Sequence, residues 1–127
     1  MNAVVYSDGG KNGNGCYGSF MAVVDGEDYP HKRFVYDELK TAPEAEVMTM
    51  MQALLYIQDL NTRYPDRVSW ELILDAKFLH DHVTGGGERK VAMKFKSKII
   101  EARKIIAENN VEVRQVSGEY MKLILGH

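Results

Sequence analysis

Three acidic residues lie at positions of the sequence where a carboxylate could take part in chemistry. Asp8 follows the apolar run that begins at Ala3, Asp75 ends the run of residues 70–74, and Glu46 lies against the apolar stripe of a predicted helix. Carboxylate oxygens are the ligands that hard divalent cations prefer, and acids from separate elements often converge on such ions. The pattern therefore predicts a metal site formed by these three acids.

Each of these acids also has an ordinary structural interpretation. Asp8 precedes two glycines and could start a turn, whereas Asp75 could cap the helix that follows it. Glu46 could pair with a lysine or an arginine. We favour the metal interpretation because the three positions support one another.

Length and composition indicate one domain, residues 1–127. The chain has 127 residues, a formal net charge of -2 and a single cysteine, Cys16. A domain of this length can bury most of its apolar surface, and so small a net charge indicates no partner by bulk electrostatics. The sequence has no internal disulfide, no signal-peptide pattern and no apolar run long enough to cross a membrane. We therefore expect a soluble, cytoplasmic protein.

The spacing of the apolar residues predicts the element order βββαβα followed by αβα. Strands are predicted at residues 3–6, 16–24, 29–36, 69–74 and 111–116, and helices at residues 42 to about 64, 76–83, about 95–109 and 120–125. The glycine-rich segments 10–15 and 85–87 are predicted to be a turn and a flexible linker. Pro30 favours an edge position for the third strand, because proline cannot donate to the ladder.

This order predicts an α/β fold with a mixed five-stranded sheet flanked by helices. Three antiparallel strands come from the first half of the chain, and two parallel strands return through helices. Ligands gather at the C-terminal ends of parallel strands in such folds. Asp8 and Asp75 would both open onto that edge, with Glu46 completing the group.

Three segments carry the acids in a distinctive order. They are YSDGG at 6–10 with NGNGCYG at 12–18, TAPEAEVM at 41–48 and LILDAKFL at 72–79. They resemble the first-strand acidic motif with its glycine-rich hairpin, the glutamate-bearing helix and the third-acid strand of type 1 ribonuclease H. The resemblance spans essentially the whole chain and implies that the predicted sheet is ribonuclease H-like.

The resemblance implies hydrolysis of the RNA strand of an RNA/DNA hybrid with two Mg²⁺ ions. Asp8 would bridge the two ions, while Glu46 and Asp75 would each hold one side, with Glu46 near the sugar of the cleaved strand. One ion would lower the pKa of the attacking water and the other would offset charge on the leaving oxygen. A monomer suffices for this chemistry, and the oligomeric state is left open.

The C-terminal segment departs from the family pattern. The family has a fourth acid, usually Asp, in its last helix, whereas this sequence has no Asp after Asp81. His127 falls at about that position and is predicted to be the substitute ligand, which would favour Mn²⁺ over Mg²⁺ more than a carboxylate does. If the chain ends there, its terminal carboxylate could serve instead. Glu119 stands where the family often has a residue that assists product release.

Candidate contacts to the nucleic acid come from two regions. Lys90, Lys94 and Lys96 belong to a basic segment that could follow phosphates, although it could equally be an ordinary solvated helix face. Residues of the first hairpin could meet the substrate, and Asn12 or Asn14 would contact the 2′-hydroxyls that distinguish RNA from DNA. Gly9 belongs to the same group of predicted contacts.

Two other functions remain open at this point. The missing fourth Asp favours a non-catalytic nucleic-acid-binding module that kept the fold. A related nuclease acting on DNA or on branched junctions could use the same scaffold.

Overall fold

The computed structural model describes residues 1–65, 67–85 and 92–126. Its strands are β1 (Asn2–Asn12), β2 (Gly15–Val24), β3 (Glu27–Asp28), β4 (Lys32–Tyr36), β5 (Ser69–Leu74) and β6 (Glu112–Gln115). Its helices are α1 (Ala42–Arg63), α2 (Lys77–Thr84), α3 (Lys96–Glu108) and α4 (Gly118–Leu125), with a 3-10 helix at Met93–Phe95 just before α3. No helix within these residues is long and apolar enough to cross a membrane.

The strands form one mixed sheet, as predicted. The order is β3-β2-β1-β5-β6, and β4 pairs with β2 as well. β1 is antiparallel to β2 and parallel to β5, and β5 is parallel to β6. The sheet has six strands rather than the five predicted, because the third predicted strand is divided into β3 and β4. Pro30 lies in the gap, where its lack of an N–H group prevents a continuous ladder.

β1 is longer than predicted. The strand continues past Asp8 to Asn12, and the turn is formed by Gly13 and Asn14 rather than by the whole segment 10–15. Gly9 and Gly10 keep their places in the ladder opposite Gly18 and Tyr17 of β2. The interpretation of Asp8 as a strand-ending residue was therefore wrong, because ladder pairing overrides the turn preference of an Asp-Gly-Gly sequence.

α1 begins and ends where the sequence predicts. The Thr41 hydroxyl accepts a hydrogen bond from the Glu44 amide and donates one to the Glu44 carboxylate. The Thr41 backbone N–H also donates to that carboxylate, which completes a capping box. The helix ends at Arg63, just before Pro65. Its buried face packs on one side of the sheet, and with α2, α3 and the inner residues of β1, β2 and β5 it forms the main apolar core.

The remaining elements also follow the prediction closely. β5 has the predicted bounds, while α4 begins two residues earlier than predicted because Ser117 caps it, accepting a hydrogen bond from the Tyr120 amide. α4 covers the opposite face of the sheet, where Met121 and Leu125 pack against Met21 and Ile73. Of the predicted glycine linker, Gly86 and Gly87 lie outside the described residues.

Gly9 is the point of closest approach between β1 and α1. A methyl group at Gly9 would lie 2.5 Å from the carbonyl carbon and oxygen of Ala45 and 2.7 Å from the amide nitrogen of Glu46. Backbone atoms cannot move away as the end of a flexible side chain can. The absence of a side chain at this position is therefore what allows the first turn of α1 to lie directly on β1.

Substitution of Gly9 by alanine is expected to destabilise the protein by about 2–3 kcal/mol, because the added methyl group must separate β1 from α1. Gly13→Ala is the matched control, since a methyl group there would meet nothing within 4 Å. Urea denaturation of both variants measures the effect, and equal midpoints would contradict this account of the contact.

Candidate active site

Asp8 and Asp75 lie side by side on neighbouring parallel strands. The register of β1 and β5 pairs Tyr6 with Ile73, so Asp8 and Asp75 each follow a paired residue by two positions. Their side chains share a hydrogen bond, which contributes to the raised pKa of Asp8. The parallel ladder therefore brings together two acids that are far apart in the sequence.

Glu46 reaches the same place from α1. The close contact at Gly9 positions its backbone, and its side chain lines a narrow cleft together with Asp8 and Asp75. The Oε2 atom of Glu46 is buried and has no hydrogen-bond partner. A buried carboxylate oxygen without a partner costs free energy, so this atom is suited to receive a cation.

Burial and repulsion by neighbouring carboxylates raise the pKa values of Asp8 and Glu46. Loss of hydration raises the pKa of Asp8 to about 8, and the charge and hydrogen bond of Asp75 and the charge of Glu46 add to the effect. Burial followed by the charge of Asp75 raises the pKa of Glu46 to about 7. Such shifts are typical of sites that bind cations or move protons.

The donor chemistry of this group fits a hard divalent cation. Three carboxylates supply oxygen ligands, and a cation would relieve the repulsion between them. However, across residues 1–65, 67–85 and 92–126, no three His, Cys, Asp or Glu side chains are grouped closely enough to hold a metal ion. The acids line one cleft without forming a closed set of ligands.

The predicted contact residues of the first hairpin have structural roles that the sequence did not indicate. Asn12 is the last residue of β1, and its Oδ1 accepts a hydrogen bond from the Asn14 amide, which stabilises the turn. Gly9 is buried beneath α1. Both asparagines are exposed at the turn end of the hairpin, which lies beyond Gly10 when counted from Asp8.

Two lysines of the basic segment lie beside the start of α1. Lys94 and Lys98 line a shallow groove with Glu44, and the positive charge of Lys94 helps to lower the pKa of Glu44, after the larger effect of the Thr41 hydrogen bond. Lys94 also lies 5.0 Å from the centre of the Phe95 ring, and Lys96 is exposed at the start of α3. This cationic surface is at the same end of α1 as Glu46.

The C-terminal predictions are only partly within the described residues. Glu119 is exposed in the first turn of α4, next to Gly118. A methyl group at Gly118 would lie 3.7 Å from Oδ2 of Asp75, so the start of α4 borders the acidic cleft. His127, and Lys90 of the basic segment, lie outside the described residues.

Sequence reasoning missed Tyr17. Its pKa is raised by burial and then by the charges of Asp8, Asp75 and Glu46, so the phenol lies within electrostatic reach of all three acids. The signal was available in principle, because pairing the two strands of the first hairpin sets Tyr17 opposite Gly10. A prediction of the exact register was needed to see it.

A larger cavity lies at the opposite end of the sheet. It has a volume of about 440 Å³ and a largely apolar lining that includes Tyr29, Tyr56, Tyr64 and Trp70. None of the three acids lines it. We assign the candidate site to the acidic cleft because it brings three carboxylates together, one of which has a buried oxygen without a hydrogen-bond partner.

Comparisons with known proteins agree with this architecture. No protein-family model and no curated protein matches the sequence. RNase H1 from the halophilic archaeon Halobacterium salinarum NRC-1 matches with a TM-score of 0.79 at 20% identity, over 96% of this chain and 90% of that one. LC11-RNase H1, isolated from compost by a metagenomic approach, matches with a TM-score of 0.77 at 21% identity, over 96% and 89%. A structure of LC11-RNase H1 in complex with RNA/DNA hybrid matches with a TM-score of 0.73 at 20% identity, over 93% and 87%.

The fold is ribonuclease H-like. Within that class, its arrangement is similar to that of the type 1 enzymes, with sheet and helices aligned over most of both chains. The fold implied by the sequence motifs is thereby confirmed.

The raised pKa of Asp8 makes stability depend on pH. Between its ordinary pKa of 3.8 and its value of about 8 in the folded protein, the folded state holds a proton that the unfolded chain has released. Stability conferred by Asp8 is therefore complete below about pH 4 and is lost as the pH rises towards 8.

Asp8→Asn mimics the protonated carboxyl group and should remove this dependence. In EDTA, we expect the variant to become more stable than the wild type as the pH rises from 5 to 8.5, by about 1–2 kcal/mol after allowance for partial exposure. The exposed Asp59, substituted in the same way, is the control and should show no such gain. Thermal unfolding across this pH range measures both differences, and parallel curves for all three proteins would contradict the assignment.

Proposed function

We propose that this protein is a divalent-metal-dependent endonuclease that hydrolyses the RNA strand of RNA/DNA hybrids. The observation that carries the proposal is the convergence of Asp8, Glu46 and Asp75 on one cleft of a ribonuclease H-like fold. The structure of LC11-RNase H1 in complex with RNA/DNA hybrid, which has a similar fold, supports the choice of substrate.

Asp8 would be the central ligand, with Glu46 and Asp75 on either side of it. Bound Mg²⁺ or Mn²⁺ ions, two in all, would lower the pKa of an attacking water and offset charge on the leaving oxygen. To act as a ligand, the Asp8 carboxyl group must give up the proton that its raised pKa favours. Cation binding and deprotonation of Asp8 are therefore linked, and metal affinity should increase with pH up to about 8.

His127 is proposed as the fourth ligand in place of the aspartate of the family. An imidazole at this position would add one nitrogen donor to the oxygen ligands of the three carboxylates. Glu119, in the segment that borders Asp75, would assist product release.

Contacts to the hybrid are proposed on both sides of the cleft. Lys94 and Lys96, with Lys98 and Lys90, would follow phosphates of the DNA strand. The exposed side chains of Asn12 and Asn14 would meet ribose hydroxyls, leaving Oδ1 of Asn12 in its turn hydrogen bond. Gly9 has no side chain, so it would contribute only backbone groups to such a contact.

Asp8→Asn should abolish metal-dependent cleavage of a labelled hybrid, with a loss of at least about 1,000-fold, because several kcal/mol of charge stabilisation depend on this ligand. The same variant should remain folded and should lose the metal-induced rise in unfolding temperature that the wild type shows. Asp59→Asn is the control and should cleave normally. Full activity in Asp8→Asn would exclude the proposed site.

Side-by-side digestion of hybrid, double-stranded RNA and branched DNA tests the substrate class. Cleavage confined to the hybrid supports the proposal, and cleavage of branched DNA would favour a junction nuclease. Retention of hybrid in a gel-shift assay without hydrolysis in Mg²⁺ or Mn²⁺ would instead favour a non-catalytic binding module.

The role of His127 can be tested by removing the last residue and, separately, by His127→Ala. If the imidazole is a ligand, both changes should reduce cleavage and shift the metal titration to higher concentration, by about tenfold or more. Loss of activity only on deletion would favour the terminal carboxylate. Unchanged titrations in both variants would remove residue 127 from the site.

A further inference from the structure

Tyr17 lies on the same face of the sheet as Asp8. Tyr17 is paired with Gly10 across β1 and β2, and Asp8 is paired with Ser19. Because side chains alternate along a strand, Asp8 and position 10 point to one face, and their cross-strand partners point to that face as well. The phenol therefore lies on the face of the sheet that carries Asp8, a candidate metal ligand.

The phenol ring extends across β1 rather than away from it. A methyl group at Gly10 would lie 2.7 Å from the hydroxyl oxygen of Tyr17 and 2.9 Å from Cζ. The ring therefore occupies the space that any side chain at position 10 would fill. This places the hydroxyl group on the central strand, two residues from Asp8.

The phenol of Tyr17 is a neutral hydrogen-bond donor at ordinary pH. Its hydroxyl group lies on the face of β1 that carries the acidic side chain of Asp8. Phosphate oxygens that approach the three acids would be repelled, and a fixed hydrogen-bond donor next to the cleft would offset part of that repulsion.

We propose that the Tyr17 hydroxyl donates a hydrogen bond to a phosphate oxygen of the nucleic-acid strand that reaches the three acids. The identity of this ligand rests on the function proposed above. Tyr17 would act as a positioning contact of the substrate, and Gly10 would be required because only a residue without a side chain leaves room for the ring.

Tyr17→Phe keeps the ring and removes the donor. We expect roughly a tenfold loss of affinity for the hybrid, measured by fluorescence anisotropy, because a hydrogen bond to a charged group is lost. The unfolding midpoint is measured alongside, so that any loss of stability is separated from the loss of affinity. Tyr36→Phe is the matched control, since its hydroxyl is bonded to Thr49 at 2.9 Å and packs with Ala45 on the α1 side. That variant should lose stability but keep its affinity.

Gly10→Ala tests the geometry independently. The hydroxyl group remains, but the added methyl group displaces it, so the loss of affinity should be similar to that of Tyr17→Phe. Combining the two substitutions should produce no further loss, because both remove the same contact. If the affinity losses of the two single variants instead multiply in the double variant, the proposed geometry is overturned.

The outcomes separate this inference from the proposed function. If the wild type cleaves hybrid and Tyr17→Phe binds and cleaves equally well, the inference fails and the function stands. If the wild type binds without cleaving and Tyr17→Phe binds less tightly, the contact stands and the hydrolytic function fails. If the lost contact is to a phosphate, Tyr17→Phe should weaken the binding of hybrid and of DNA duplex by the same factor. A loss of affinity confined to the hybrid would overturn the choice of phosphate as the acceptor. If the wild type binds neither, both proposals fail.

Discussion

The placement of β1 between β2 and β5 is the constraint on which the rest of the structure depends. β1 pairs with β2 over nearly its whole length and with β5 over its first half. One ladder fixes Tyr17 opposite Gly10, and the other brings Asp75 level with Asp8. Alternation along the same strand turns Val5 towards the core and Asp8 towards the cleft. A shift of one residue in either register would exchange these two faces and disperse the site.

The acidic cleft is locally unfavourable to folding, and the core compensates for it. Desolvation and repulsion raise the pKa values of Asp8 and Glu46 well above those of exposed acids, and Oε2 of Glu46 has no hydrogen-bond partner. The apolar residues that α1 packs against the sheet, among them Met50, Leu54 and Leu72, are fully buried. Stability gained in that core permits a group of like charges a few residues away, which is the usual relation between a scaffold and a functional site.

Local signals in the sequence predicted some elements well and others badly. The bounds of α1 could be predicted because both of its boundary signals are local. Thr41 and Glu44 form a cap within one turn, and Pro65 prevents the helix from continuing. The first strand was predicted too short because its continuation through Asp8, Gly9 and Gly10 depends on partners in β2. The third strand was predicted as continuous because the effect of Pro30 on a ladder depends on which neighbour the strand has. Short-range preferences decided the first case, and contacts between distant residues decided the other two.

The sequence by itself determined the order of the elements, the types of the three acids and the resemblance that relates them to a ribonuclease H-like fold. Only the tertiary structure decided that Asp8 shares a hydrogen bond with Asp75, that Gly9 admits α1 and that Tyr17 lies over Gly10. The physical reason is the range of the interactions. Periodicity and capping act within a few residues, whereas desolvation, repulsion between carboxylates and steric contact depend on distances that exist only after the strands have paired.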